Sequence, residues 1–269
     1  MGLFKTLNLN TATVVNGRQF VVPTLNGSRA ELSETWMIEV LKRLFSLRDG
    51  PFVDVGVNLG QTLLKVAGLD PARPYIGFEP NPTCVDYVEK LIAANGLTNC
   101  KVAPVGLATQ PGIVTLDLFF GADSDSSASL VPDFRPDQKV AFRKTVAVLS
   151  TAELPEGFIP QGVAVIKIDV EGAELYVLEA LLEVIRRDRP FIVMEILPAY
   201  SADNAPRVDR QNRLEALFSQ ADYALLRINT TGGLTLTAID HIGIHGDMNL
   251  CEYIACPKDR VEAVKAAFA

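Results

Sequence analysis

The chain contains two histidines, one tryptophan and four cysteines in 269 residues. Cys84, Cys100, Cys251 and Cys256 are too sparse for a disulfide framework, and none share the CxxC spacing of a zinc site. They read as reduced thiols, which points to the cytoplasm. Positive charge is also in short supply. Against 32 Asp and Glu stand 25 Lys and Arg, giving a net charge of −7, and the basic residues are scattered. No face suits a phosphate backbone, which argues against nucleic acid as a partner. No apolar run reaches the ~18–20 residues of a membrane span, and no signal-peptide core follows the start. The opening MGLFKT fits the loose N-myristoylation pattern through Gly2 and Thr6, a match short enough to arise by chance.

What is present is the composition of a globular chain, 48% apolar and 21% charged. TVVNGRQFVVP sets Asn16-Gly17 between two β-prone runs, which predicts a hairpin because both central turn positions need positive φ. In SRAELSETWMIEVLKRLFSLRDG, Trp36, Met37, Val40, Leu41 and Leu44 recur at helical spacing, with Ser33 as cap and Gly50 as terminator. Residues 1–50 therefore read as an N-terminal extension and residues 51–269 as the main domain. From residue 51, strand and helix alternate. PFVDVG, YIGFEP, CKVAPVG, VAVIKID and PFIVMEI are strands, and QTLLKVAGL, CVDYVEKLIAANG and AELYVLEALLEVIRRD are helices. The strand runs are continuously apolar, as in strands buried on both faces, which predicts an α/β, doubly wound, mostly parallel sheet.

In such a sheet ligands sit beyond the carboxyl ends of the strands, near the point where strand order reverses. Those ends carry Asp54, Glu79, the Val105-Gly106 pair, Asp169 and Glu195. In FVDVGVNLGQT, Gly56 and Gly60 permit a tight strand-to-helix turn and close backbone approach. The loop reads G-x-N-x-G and lacks the dinucleotide fingerprint. Asp54 would oppose a pyrophosphate and favour a ligand with positive charge near its tail, such as S-adenosylmethionine. Glu79, in YIGFEPNP, falls nineteen residues after Gly60, where a carboxylate accepts ribose hydroxyls. A nicotinamide dinucleotide would use Glu79 equally, so an NAD-dependent oxidoreductase is the alternative from this residue alone.

FVDVGVNLGQT, IGFEPNP, GLATQPG and above all IKIDVEGAE resemble the FkbM-type family of S-adenosylmethionine-dependent methyltransferases. The resemblance covers residues 50 to 200. It implies a class I Rossmann-like methyltransferase fold and methyl transfer to oxygen, on a hydroxyl of a sugar or natural-product acceptor. On this reading Asp54, Gly56, Asn58 and Gly60 hold the methionine part and Glu79 the ribose, with Pro80 also in the cofactor site. Val105 and Gly106 border the adenine. A hydroxyl is a poor nucleophile until a base or metal takes its proton, and Asp169, closing the central strand, is the first candidate. Glu171 precedes a glycine in the turn and joins it. Glu195 and His241 support them, with His241 and His245 placed on a loop over the cleft or at the surface. Glu174 is explained by a helix first turn, and Lys167 is expected to pair with one of these acids. The same residues allow a second mechanism in which Asp169 and Glu195 hold magnesium between strand ends, as in catechol-type methyltransferases. GADSDSSASL reads as a lid, with Ser127 and Ser129 toward the substrate, and residues 201–220 as a loop and helix over the acceptor pocket. A further rival is a non-catalytic S-adenosylmethionine-binding module.

Overall fold

The structure is a computed structural model and describes residues 10–269; Gly2 and Thr6 lie outside the described residues. The hairpin forms as expected from β1 (Thr11–Val15) and β2 (Arg18–Val22), with Asn16 at φ 49° and Gly17 at φ 76°. It leads to α1 (Trp36–Leu47), whose N-cap falls at Thr35. Ser33 is therefore not the cap: the chain turns at Glu34, with φ 47°, before the helix begins.

Strand and helix then alternate through β3 (Phe52–Val55), α2 (Gln61–Leu69), β4 (Tyr75–Phe78), α3 (Pro82–Ala94) and β5 (Cys100–Ala103). After a segment with β6 (Gly106–Leu107), β7 (Gly112–Leu118) and β8 (Phe142–Leu149) come β9 (Val165–Ile168), α4 (Glu174–Ala180), α5 (Leu182–Asp188) and β10 (Phe191–Glu195). The chain finishes with α6 (Ala205–Gln220), β11 (Tyr223–Asn229), β12 (Thr235–Ile239), β13 (Glu252–Pro257) and α7 (Val261–Phe268). The single helix expected over AELYVLEALLEVIRRD is divided at Leu181 into α4 and α5.

The main sheet has the order β12-β11-β13-β10-β9-β3-β4-β5. The run from β10 to β5 is parallel, and β13, β11 and β12 pair antiparallel at the other edge. Strand order reverses between β3 and β9, which is where an α/β sheet opens a ligand crevice. This is the class I Rossmann-like methyltransferase order. Among the described residues no helix is long and apolar enough to cross a membrane.

The pleat divides the core into two layers. Phe52, Val165, Phe191 and Val193 face the side of α1, α2 and α7, where Val15 and Phe20 of the hairpin join the same cluster. Val53, Val55, Ile166, Ile168, Ile192 and Met194 face α4, α5 and α6. A sheet of β6, β8 and β7, not anticipated from sequence, stands beside the crevice. Between its strands β7 and β8 the chain makes an excursion over 119–141, which forms a roof.

Candidate active site

The crevice holds a pocket of about 280 Å³ lined by Gly56, Asn58, Glu79, Pro80, Gly106, Asp169, Glu171 and Glu195. Eight of the twelve residues expected from sequence are thus brought together. The pocket is also lined by Asp125, Ser126 and Leu130 of the GADSDSSASL stretch expected as a lid, and by residues the sequence reading did not select, including Ser33, Glu34, Gln61 and Thr62.

The glycine loop owes its path to three left-handed residues, Gly56 at φ 88°, Asn58 at φ 48° and Gly60 at φ 83°. Asparagine is among the few side chains that tolerate this region, which accounts for the G-x-N-x-G pattern. At Gly56 a Cβ would lie 1.8 Å from the Asp169 carbonyl oxygen, so only glycine lets the loop pass the end of β9. Gly60 is buried against Leu91 and does not line the pocket. Its role is the turn itself.

Glu79 follows β4 and is 6% exposed. One carboxylate oxygen accepts the Asn58 backbone N–H at 2.8 Å and the other accepts that of Asn81 at 2.8 Å. Each oxygen keeps a lone pair for a further donor. Burial pushes this carboxyl up to about 7, against the pull of those two amides.

Asp54 is corrected by the pleat. It is the third residue of β3 and points, with Phe52, into the α1 and α2 layer below the pocket, where it is fully buried. Its carboxylate accepts the Tyr75 hydroxyl and lies 3.6 Å from the Lys167 ammonium, its register partner on β9. Asp54 does not line the pocket. Lys167 also lies 3.1 Å from Asp169 and donates to the Gly56 carbonyl at 3.2 Å. Burial alone would lower its ammonium, but Asp169 and Asp54 outweigh that and hold it above its usual range. The expected pairing of Lys167 is therefore present, with two acids at once, and ties the glycine loop to Asp169.

Asp169 and Glu171 occupy the turn from β9 to α4. Glu171 stands at φ 51° and Gly172 at φ 102°. Three contacts from the roof hold this turn: the Ser129 hydroxyl donates to the Glu171 carbonyl at 2.6 Å, Arg135 donates to its carboxylate at 2.6 Å, and Phe134 packs against Gly172. Burial and Asp169 push Glu171 up to about 7, opposed by Arg135. Glu174 is buried and accepts the Gly172 N–H at 2.8 Å, closing the first turn of α4. Glu195 and Glu252 are register partners on β10 and β13. Burial and nearby acids push Glu195 up to about 9.

Four further expectations are corrected. Val105 packs into the α4 and α5 layer, leaving Gly106 at the pocket wall. His241 has an 81% exposed side chain and pairs with Glu215 at 2.9 Å, outside the pocket, because its loop runs along α6. Ser127 donates to Asp125 at 2.7 Å and Ser129 to Glu171, and neither residue lines the pocket. Residues 205–220 pack Leu214 and Phe218 against the sheet and do not cover the pocket.

Asp169, Glu171 and Glu195 offer oxygen atoms within 4.8 Å of one another. Such oxygens suit a hard cation. Lys167 and Arg135 already pair with one oxygen each of Asp169 and Glu171, so a metal there would share these acids with two cations.

The family model for the methyltransferase FkbM domain matches residues 54–225. A curated relative, Methyltransferase sdnD of Sordaria araneosa, is 31% identical over 165 residues, 51% of this chain and 63% of the relative, so less than two thirds of that protein is spanned. Among solved structures, the chain is similar to methyltransferase FkbM from Methylobacillus flagellatus KT, 16% identical with TM-score 0.46 over 77% of this chain and 43% of that one. It is also similar to a SAM dependent methyltransferase from Aquifex aeolicus, 14% identical with TM-score 0.42 over 81% and 87%. With residues 54–225 spanning both the glycine loop and the β9 turn, the chain belongs to the FkbM methyltransferase domain family.

Proposed function

We propose that the protein is an S-adenosylmethionine-dependent O-methyltransferase acting on a hydroxyl of a sugar or natural product, in the cytoplasm, where its four free cysteines stay reduced. The observation that carries this reading is Glu79, its two oxygens aimed by the Asn58 and Asn81 amides into an acid-lined pocket beside the glycine loop. The donor set suits a cationic nucleoside. Glu79 receives ribose hydroxyls, Pro80 and Gly106 border the adenine, and Gly56 and Asn58 shape the seat of the amino-acid part. Bound there, S-adenosylmethionine supplies a methyl group on a sulfonium centre.

Asp169 lies at the end of β9, where Lys167 fixes its carboxylate. It would orient the acceptor hydroxyl and hold the proton that the hydroxyl gives up when the bound donor supplies its methyl group. A base so placed contributes on the order of 10²–10⁴-fold. Glu171, held by Arg135, and Glu195 line the acceptor side. Asp169 and Glu171 already have cationic partners, so transfer is expected without a metal, and loss of activity in chelator would assign the three acids to a cation instead. An acid-lined pocket opposes the pyrophosphate of a nicotinamide dinucleotide.

The test is transfer of a labelled methyl from S-adenosylmethionine to a panel of sugars and hydroxylated natural products, with and without chelator. Asp169→Asn should lower transfer roughly 10²- to 10⁴-fold while leaving cofactor affinity near that of the parent. Cofactor binding without transfer to any acceptor would favour the binding-module reading. No cofactor uptake would sink both.

A further inference from the structure

Six carboxylates line the pocket: Glu34, Glu79, Asp125, Asp169, Glu171 and Glu195. Four are committed. Glu79 is aimed at the ribose, and Asp125 accepts the Phe119 and Phe120 amides together with the Ser127 amide and hydroxyl. Asp169 pairs with Lys167 and Glu171 with Arg135. Glu195 stands beside the last two, on the acceptor side. Glu34 differs in position and in origin. It comes from the segment before α1 and lines the pocket together with Gln61 and Thr62, which open α2 just after the glycine loop.

Three observations single it out. Its side chain is 41% exposed, so the ion pair it makes beneath, 3.5 Å to the fully buried Lys65, leaves the carboxylate open to a second cation. Its backbone is left-handed at φ 47°, an uncommon state for glutamate, and is held by the Met37 N–H donating to the Glu34 carbonyl at 3.0 Å. It also lines the small recess formed with Met37, Lys167, Asp169 and Glu252, which joins the pocket at the end of β9. Asp54, the acid expected to meet the ligand's tail, is fully buried and does not line the pocket.

Resting on the cofactor reading above, we infer that Glu34 receives the ammonium of the cofactor's amino-acid tail. The N-terminal segment then completes the site, and Lys65 serves as the buried anchor that positions the carboxylate.

Two ligands separate this role from a structural one. S-adenosylhomocysteine carries the amino-acid tail; 5′-methylthioadenosine has the same nucleoside and sulfur without it. By calorimetry, Glu34→Gln should weaken S-adenosylhomocysteine at least about tenfold, the size of one charge-assisted hydrogen bond, and leave 5′-methylthioadenosine unchanged. Glu34→Asp should recover part of the loss. Equal losses for both ligands, or no loss for either, would overturn the assignment. Should Glu34→Gln fail to fold because Lys65 loses its counter-ion, the comparison moves to Lys65→Met against Lys65→Met with Glu34→Gln. There the lysine needs no partner, and the tail-specific loss must persist. A wild-type chain that binds neither ligand removes the cofactor reading itself, whereas one that binds both with equal affinity removes only the role of Glu34.

Discussion

At Glu79 a buried carboxylate satisfies two backbone amides and faces the pocket with what remains of its acceptor capacity. Glu79→Gln replaces one acceptor oxygen by a donor, which confronts either the Asn58 or the Asn81 N–H. S-adenosylhomocysteine affinity should fall about ten- to a hundredfold in calorimetry, and unchanged affinity would refute the ribose assignment. The position of Glu79 was legible in sequence because it depends on spacing alone: strand, glycine loop, helix and strand fix where the second strand ends. Asp54 falls outside the pocket lining because a strand has a period of two. One residue separates the ligand edge from the layer below, and Asp54 sits on the wrong side of that step. His241 could not be placed from its surroundings in sequence, since its partner Glu215 lies 26 positions away on α6.

Among the elements, the turn from β9 to α4 and the roof over it depend on each other. Gly172→Ala would set a Cβ 2.5 Å from the Phe134 ring at a backbone angle that disfavours any side chain, with an expected loss of about 1–3 kcal/mol in urea unfolding. Combining it with Phe134→Ala should cost less than the sum of the two, because the clash is removed and only the backbone strain remains. Strict additivity would show that the roof does not bear on the turn. Gly56→Ala should be worse than Gly172→Ala, since its Cβ meets a backbone carbonyl that has nowhere to go. The buried parallel strands announced themselves as apolar runs, which is why β3, β4, β9 and β10 were readable. The β6-β8-β7 sheet was not. Its strands are short or half exposed, as in the alternation of GIVTLDL, and β7 meets β8 only across the 119–141 excursion. Nothing local records such a pairing.

Across the whole molecule, acids gather along one edge of the sheet. Burial pushes Glu79 and Glu171 up to about 7, Glu252 to about 8 and Glu195 to about 9. Each value stands above the ~4.3 of an unfolded glutamate, so the folded state favours the protonated form. The stability these groups confer is complete below the unfolded value and is lost as pH rises through 7 to 9. The ligand-free protein should therefore unfold at lower urea at pH 9 than at pH 6, and the opposite trend would contradict the burial of these carboxyls. A cationic ligand should reverse part of this, binding more tightly at pH 8 than at pH 6 with release of protons, as calorimetry in buffers of different ionisation enthalpy would register.

Trp36, the sole tryptophan, opens α1 two residues beyond Glu34 and packs partly against the core. The protein thus carries one indole fluorophore, stationed next to the segment that completes the pocket, and its emission can follow occupancy of that end without any added dye.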